Sequence, residues 1–128
     1  MPMLVAMHDG GVAHGDLNLR NIYLRPEDLS GYGDGYRWGV VDLDGCSWYS
    51  GGVSARVRCR EIARFATSAA GCYLGSYGKI TPELLEFCEY CAKCYLEKGG
   101  IDLNRLLYRR QIRIFAGHRN RKSANASH

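Results

Sequence analysis

The sequence has no apolar run near the roughly 18 residues that a membrane-spanning helix needs. Its first residues, Met1 to Met7, are too short for a secretory signal, and His8 and Asp9 follow at once. No internal repeat is present. With 46% apolar and 23% charged residues over 128 positions, the composition is that of one ordinary globular domain. We therefore expect a cytoplasmic protein with a modest core.

Acidic residues are missing from the stretch between Arg105 and Lys122, while the whole chain carries a formal net charge of +4. Such a basic run attracts polyanions. A solvated helix face and a peripheral contact with an anionic membrane surface both stay open. Nucleic acid is not expected, because Tyr108 and Phe115 are the only large aromatic residues interleaved there. The cations of this segment are Arg105, Arg109, Arg110, Arg113, Arg119, Arg121 and Lys122.

Six cysteines occur in the chain, which is long and helically patterned for a disulfide scaffold, so reduced thiols are expected. The run Cys88-x-x-Cys91-x-x-Cys94 leaves two readings open. Closely spaced cysteines can bind zinc or an iron–sulfur cluster. These three, however, follow the apolar stripe of an amphipathic helix, where cysteine acts as a small buried hydrophobe. The pattern favours a core helix over a metal site.

Hydrophobic periodicity and turn residues predict mainly helices with one short pair of strands. Strands are predicted at 21–24 and 38–41, joined by a surface loop over 25–37 that is rich in glycine and acids. One helix is predicted to begin after the N-cap Thr81, with Pro82 at its first position, and to end at Gly99-Gly100. The other helices are predicted at 3–10, 55–74 and 102–116.

Predicted core faces follow from the same periodicity. The helix at 55–74 is expected to bury Ile62, Phe65, Ala66, Ala69, Cys72 and Tyr73. The helix that follows Thr81 is expected to bury Leu84, Leu85, Cys88, Cys91, Ala92 and Tyr95. The last helix is expected to bury Leu103, Leu106, Leu107 and Ile114.

Three polar side chains with suitable chemistry lie on two loops next to the predicted strands. Asp16 and Asn21 belong to the run His14-Gly15-Asp16-Leu17-Asn18-Leu19-Arg20-Asn21, and Asp42 ends the apolar strand that contains Val40 and Val41. A carboxylate can orient a hydroxyl and accept its proton, and carboxylate and amide oxygens suit Mg²⁺. An Asp, an Asn five positions later and an Asp closing a later strand match a kinase catalytic loop and its metal-binding loop. His14 is expected to support the loop structurally.

These motifs resemble the kinase-like phosphotransferases, and among them the lipopolysaccharide kinases, the family that includes Kdo kinase. Gly15 stands where protein kinases carry the Arg that reads a phosphorylated activation loop. Asn18 stands at the place of their catalytic-loop Lys, and Asp42-Leu43-Asp44 is similar to the family's Asp-Phe-Asp. The resemblance covers about residues 3–65. Residues 47–54 lack a protein-kinase phosphosite and an Ala-Pro-Glu motif, which favours a small-molecule or lipid-headgroup substrate.

The resemblance implies an α+β, mainly helical fold: a protein-kinase-like C-terminal lobe over 1–117, followed by a basic tail over 118–128 that is predicted to be disordered. A short β-hairpin would carry the catalytic and metal-binding loops. The chain shows no Gly-rich phosphate loop, no strand Lys and no helix Glu of an N-terminal lobe. Either the sequence is truncated or the protein is a half-kinase. We expect the isolated chain to bind Mg·ATP weakly or not at all and to transfer no phosphate.

The resemblance also implies ATP and Mg²⁺ as cofactors and a sugar hydroxyl of a lipid A-linked core saccharide as acceptor. Asp16 would be the catalytic base, and Asn21 and Asp42 would bind Mg²⁺. Asn18 would help to position a phosphate or the acceptor sugar, and Arg20 would hold a phosphate. Asp44 would either contact a second metal ion or hold its own loop. The alternative is a non-catalytic, kinase-like module that binds a partner.

Overall fold

The computed structural model of the chain describes residues 1–26, 36–75 and 79–126. In this part of the chain the fold is mainly helical, with two small antiparallel sheets of two strands each. The strands are β1 (Val12–Ala13), β2 (Ile22–Pro26), β3 (Tyr36–Val40) and β4 (Ser47–Trp48). The helices are α1 (Pro2–Asp9), α2 (Ala55–Leu74), α3 (Pro82–Glu97) and α4 (Arg105–Ala126), with short 3-10 turns at Leu19–Asn21 and Leu43–Gly45.

The predicted hairpin is confirmed, and both of its strands are longer than expected. Strands β2 and β3 pair from Ile22 opposite Val40 to Pro26 opposite Tyr36. The predicted connecting loop is shortened from both ends, and its remainder, residues 27–35, lies outside the described part. Sequence reasoning missed the pairing of β1 with β4, which joins Val12 to Trp48 and Ala13 to Ser47. Strands of two residues are too short to show an alternating pattern.

The predicted ends of α2 and α3 are confirmed. They could be predicted because capping residues act locally. The Ser54 hydroxyl accepts a hydrogen bond from the Val57 backbone N–H at 3.4 Å, and Gly75 ends α2 with a φ of 65°. The Thr81 hydroxyl accepts one from the Leu84 N–H at 3.1 Å. Such side chains satisfy backbone donors that the first helical turn leaves unpaired.

Helix α2 lies at the centre of the fold and packs against α3 and α4. Its buried face includes Cys59, Ile62, Ala63, Ala66 and Ala70, so small residues allow the neighbouring helices to approach closely. The predicted burial of Cys72 and Tyr73 was wrong, because both lie exposed near the end of α2, past the helices that cover its centre. On α3, Leu85 is also exposed, whereas the rest of the predicted face is buried.

The predicted core face of the last helix was largely wrong. Leu103 is buried, but Leu106 is 82% exposed, and Leu107 and Ile114 are exposed as well. The buried residues are Tyr108, Ile112 and Ala116, which follow one another at i+4 spacing along a single face. The Tyr108 hydroxyl donates to the Cys88 backbone carbonyl at 2.7 Å. This bond to α3 selects a face that the leucine positions did not indicate.

Helix α4 extends to Ala126, past the predicted end at residue 116. No proline or further glycine follows Gly117 to stop it. The division of the chain into a lobe over 1–117 and a tail over 118–128 stays a prediction. None of the helices in the described ranges is long and apolar enough to cross a membrane.

The cysteines of α3 belong to the core, as predicted. Cys88 and Cys91 are buried, Cys94 is half-buried, and all six cysteines of the chain are free thiols. Burial raises the pKa of Cys88 to about 12 and, together with its cysteine neighbours, that of Cys91 to about 12. Since metals bind the thiolate, this environment disfavours the form that would act as a ligand.

Candidate functional site

The loop that carries Asp16 runs between β1 and β2 and is anchored from below. Leu17 is completely buried in the core and so fixes the backbone of this loop. The Asn18 side chain is 2% exposed, and its Oδ1 accepts a hydrogen bond from the Arg20 N–H at 2.9 Å. The backbone N–H of Leu19 donates to the Ser68 hydroxyl of α2 at 2.7 Å. The loop is therefore held from inside while Asp16 faces outward.

Asn21 is held against the backbone of Asp16. Its Nδ2 donates to the Asp16 backbone carbonyl at 2.8 Å. A carbonyl oxygen can only accept, so this contact assigns the nitrogen of the side-chain amide. The five-residue spacing thus produces a closed turn between Asp16 and Asn21.

Val41 connects this turn to the second loop. Its N–H donates to the Asn21 backbone carbonyl at 2.8 Å, and its own carbonyl accepts from His14 Nε2 at 2.7 Å. Both backbone groups of the residue preceding Asp42 are therefore bonded to the loop that carries Asp16. The structure brings Asp16, Asn21 and Asp42 together through these contacts.

His14 has the structural role that the sequence predicted. It is completely buried, and its Nδ1 accepts a hydrogen bond from the Asp16 N–H at 3.1 Å. Because Nε2 donates to a carbonyl while Nδ1 accepts from an N–H, the ring is neutral with its proton on Nε2. One imidazole therefore positions the backbone on either side of the site.

Asp42 occupies a strained backbone conformation at the end of β3. Its φ of 62° and ψ of 68° place it in the left-handed region, and it is the one non-glycine residue with positive φ among the described residues. For an L-amino acid this region is unfavourable, and such strain is concentrated at functional sites. The side chain of Asp42 is exposed.

A glycine contact allows the two loops to meet. Gly15 has a φ of 95°, and a Cβ placed on it would lie 2.4 Å from the Gly45 carbonyl oxygen. Only glycine fits this position, for both conformational and steric reasons. The sequence showed that Gly15 stands where protein kinases carry an arginine. The structure adds that the contact with Gly45 requires glycine at this position.

Glu61 of α2 is a functional residue that sequence reasoning missed. Its Oε1 accepts a hydrogen bond from the His14 backbone N–H at 2.6 Å and one from His8 Nε2 at 3.2 Å. Its Oε2 accepts from the Gly15 N–H at 3.0 Å. The signal that could have revealed it is its position one helical turn before Phe65, inside the predicted apolar stripe.

The ionised form of Glu61 is the form that these contacts stabilise. Burial alone would raise the pKa of the carboxyl, since the side chain is 2% exposed. The hydrogen bonds from His8 and from the backbone N–H groups of His14 and Gly15 outweigh burial and lower the pKa below its ordinary value. A buried carboxylate therefore holds the loop that leads to Asp16.

The network around Glu61 continues into three helices. Tyr95 of α3 contacts His8 of α1, with its hydroxyl 2.8 Å from Nδ1. The same hydroxyl accepts from the Arg58 guanidinium of α2 at 3.2 Å, and Arg58 also donates to Asp9 Oδ1 at 2.9 Å. Among the described side chains, no buried nitrogen or oxygen lacks a hydrogen-bond partner. Satisfied buried networks of this kind hold a single arrangement.

Asp16 itself carries an ion pair with α2. Arg64 Nε donates to Asp16 Oδ1 at 3.0 Å. Partial burial alone would raise the pKa of Asp16, but the side chains of Asn18 and Arg64 lower it below its ordinary value. A small cavity of about 40 Å³ opens beside this pair, lined by Gly15, Asp16, Leu17, Arg60, Glu61, Arg64 and Phe115.

The remaining predicted site residues lie near the same loops. Arg20 and Asp44 are exposed in the two 3-10 turns. The buried capping role of Asn18 accounts for its side chain without a ligand. The assignment of Asn18 and Arg20 to phosphate binding stays a prediction. In the described ranges, no three His, Cys, Asp or Glu side chains are grouped to hold a metal ion.

Hydrogen bonds thus link the loop that carries Asp16 and Asn21 to Val41, the residue before Asp42. A family model described as "Lipopolysaccharide kinase (Kdo/WaaP) family" matches residues 2–72, more than half of the chain. The chain belongs to this family, and the resemblance inferred from the sequence is confirmed. Glu61 and Arg64 lie inside the matched residues, whereas α3 and α4 lie outside them. Searches of curated proteins and of solved structures found no match.

Proposed function

We propose that this protein is the C-terminal lobe of an ATP-dependent kinase that phosphorylates a sugar hydroxyl of a lipid A-linked core saccharide. The observation that supports this most directly is the chain of contacts from Asp16 through Asn21 to Val41, which ends beside Asp42. A carboxylate for the acceptor hydroxyl and two oxygen ligands for a metal are the groups that phosphoryl transfer requires of this lobe.

Asp16 is the residue that would orient the acceptor hydroxyl and take its proton. Arg64 engages Oδ1 and Asn18 contacts the same carboxylate, which is half-exposed and so accessible to a substrate. The contacts with Asn18 and Arg64 lower the pKa of Asp16, so they favour the ionised carboxylate that can orient a hydroxyl. Its backbone is bonded on both sides, by His14 at the nitrogen and by Asn21 at the carbonyl.

The residues present fit Mg²⁺ in the way that nucleotide-dependent enzymes bind it. Magnesium in such sites takes one or two protein oxygen ligands and completes its shell with water and substrate phosphates. The side-chain oxygen of Asn21 and the exposed carboxylate of Asp42 would supply two such oxygens. When bound, the ion would neutralise charge on the nucleotide phosphates. The role of this chain is to hold both ligands on backbone that is fixed by hydrogen bonds.

The acceptor and its location follow from the family and from the charge of α4. The family's description names lipopolysaccharide, which is anionic and membrane-embedded. Arg109, Arg110 and Arg113 lie exposed on α4, whereas Arg105 pairs with Glu89 at 2.7 Å. We propose that the exposed arginines contact the anionic membrane surface peripherally, on the cytoplasmic side where ATP is available.

The test compares variants of the complete protein as its gene encodes it, assayed with Mg·ATP and a Kdo-lipid acceptor. Asp42→Ala should reduce turnover to background through lost metal binding. Asp16→Asn should lower kcat roughly 10²- to 10⁴-fold and leave the KM for ATP unchanged. The matched control is Asp102→Asn, an exposed aspartate preceding α4. Wild-type turnover in Asp42→Ala would refute the metal assignment.

A second candidate, a non-catalytic module that binds a partner, is favoured by one observation. Three apolar side chains near the site are exposed: Val41, Leu43 and Trp48, the last at 80%. An apolar patch of this kind marks a surface that another chain or domain covers. Genetic complementation separates the two functions. A module would retain its cellular function in the Asp42→Ala variant and lose it in Trp48→Asp, whereas a kinase would lose it in Asp42→Ala.

A further inference from the structure

Among the described residues, the side chain of Asp16 has one hydrogen-bond partner from outside its own loop. The carboxylate is 53% exposed, and a half-exposed carboxylate on a loop rotates freely unless something holds it. Asn18 contacts it from within the loop and moves with the loop. Arg64 contacts it from α2, the central helix, through Nε at 3.0 Å from Oδ1. Arg64 therefore fixes the orientation of the carboxylate relative to the central helix α2.

Arg64 is itself held in place by α4. Its side chain is 16% exposed, and the guanidinium carbon lies 5.4 Å from the centroid of the Phe115 ring. A guanidinium over an aromatic face is attracted by the ring, and its planar shape stacks on it. Phe115 is half-buried and packs against the core cluster. Two contacts of the guanidinium, the hydrogen bond from Nε to Asp16 and the Phe115 ring at its face, thus restrict the Arg64 side chain.

We propose that Arg64 is the positioning residue of Asp16, and that Phe115 keeps Arg64 in the orientation that this role requires. The inference rests on the proposed function of Asp16 as the residue that orients the acceptor hydroxyl. It extends the site to α4, which lies outside the residues that the family model matches. Arg64 does not touch the reacting atoms. It acts by fixing which carboxylate oxygen faces the substrate.

The pair differs in a physical way from an ordinary surface ion pair. Exposed pairs contribute little because two long, mobile side chains must be ordered to form them. Arg64 is ordered beforehand by burial and by the Phe115 ring, and the Asp16 backbone is ordered by His14 and Asn21. The bond therefore restricts only the last torsions of the Asp16 side chain. Since small misplacements of reacting groups slow reactions strongly, this restriction bears on the rate.

The first experiment measures the contact without any need for activity. Hydrogen exchange of the Arg64 Nε–H is followed by ¹H–¹⁵N NMR in the 128-residue chain. We expect slow exchange in the wild type and at least tenfold faster exchange in Asp16→Ala and in Phe115→Leu. The matched controls are Asp102→Ala and Phe87→Leu, the latter changing another half-buried aromatic residue, and both should leave the exchange unchanged. Exchange as fast as that of the exposed Arg56 in the wild-type chain would overturn the inference.

The second experiment tests positioning in the complete protein as its gene encodes it. Arg64→Lys keeps the positive charge and loses the Nε geometry and the stacking. We expect kcat to fall roughly 10- to 100-fold with the KM for ATP unchanged. The control Arg56→Lys, on an exposed part of the same helix, should keep wild-type values. Unchanged kcat in a folded Arg64→Lys protein would refute the positioning role. Absent turnover in the wild type would refute the proposed function, while the exchange experiment would still decide on the contact.

Discussion

The carboxylate of Glu61 lies 2.6 Å from the backbone nitrogen of His14 and so bonds the central helix directly to the loop that carries Asp16. The two residues are 47 positions apart in the chain. The same carboxylate accepts from Gly15 and from His8. One buried side chain therefore connects α1, the loop that carries Asp16 and α2. Its removal should destabilise all three.

Replacing Glu61 by glutamine should destabilise the fold strongly. The amide nitrogen would face either the His14 or the Gly15 N–H, so two donors would meet and a charge-assisted bond would be lost. We expect the free energy of unfolding to fall by about 2–3 kcal/mol. Urea unfolding of the 128-residue chain measures it, with Glu86→Gln on the exposed side of α3 as the control. A change as small as that of the control would contradict the anchoring role.

The same residue predicts a pH dependence of stability. The folded-state pKa of Glu61 is lowered from its ordinary value of 4.5, so the ionised carboxylate binds its proton less tightly in the fold than in the unfolded chain. Its contribution is therefore fully present above pH 4.5 and is lost as the pH falls through the lower folded-state value. Urea midpoints measured across this range should fall less steeply in Glu61→Gln than in the wild type. Parallel curves would show that Glu61 does not titrate as described.

Replacing Gly15 by alanine should separate the two loops. The new Cβ would lie 2.4 Å from the Gly45 carbonyl oxygen, and the backbone has a φ of 95°. The matched control is Gly51→Ala, where φ is 80° but no atom lies within 4 Å of the new Cβ. We expect both variants to lose about 1 kcal/mol through backbone strain and Gly15→Ala to lose roughly 1–3 kcal/mol more through overpacking. Equal losses in thermal or urea unfolding would contradict the steric argument.

Asp42 should show opposed effects on stability and activity. Its left-handed φ of 62° is unfavourable for any residue with a Cβ and easy for glycine. Asp42→Gly should therefore raise the free energy of unfolding by about 0.5–1 kcal/mol relative to Asp42→Ala, while both abolish turnover. Thermal unfolding of the two variants gives the comparison. If the alanine variant proved equally stable, the conformation of Asp42 would not be a strained one.

Cys88 and Cys91 of α3 should be unreactive in the folded protein. Burial raises the pKa of Cys88 and Cys91 to about 12, so little thiolate forms at mildly alkaline pH, whereas Cys72 lies exposed on α2. Alkylation with iodoacetamide followed by mass spectrometry should label Cys72 first and the α3 pair only after unfolding.

Metal analysis of protein purified with and without oxygen tests the alternative interpretation, in which the α3 cysteines bind a metal. Stoichiometric iron or zinc that is lost on changing Cys88, Cys91 and Cys94 to serine would establish a metal site.

Local chemistry accounts for the features that were predicted correctly. The ends of α2 and α3 depend on Ser54, Thr81 and Pro82, which act on backbone groups within one helical turn. The turn from Asp16 to Asn21 closes over five residues through one side-chain bond. Such short-range contacts depend on the spacing of residues along the chain. The sequence alone therefore identified the two loops, the hairpin and the family.

Tertiary structure alone decided which helical residues serve the site and which face of α4 is buried. Glu61 lies inside the apolar stripe of α2 and Arg64 outside it, but neither position indicates its partner. Both partners lie on the loop, 47 and 48 residues away in the chain. The pattern predicted that Leu106 and Leu107 would be buried. The structure buries Tyr108 and Ile112 instead, and the Tyr108 hydroxyl bonds to α3. Contacts between distant segments leave no periodic trace in either segment. They depend on how whole helices pack, which only the folded chain determines.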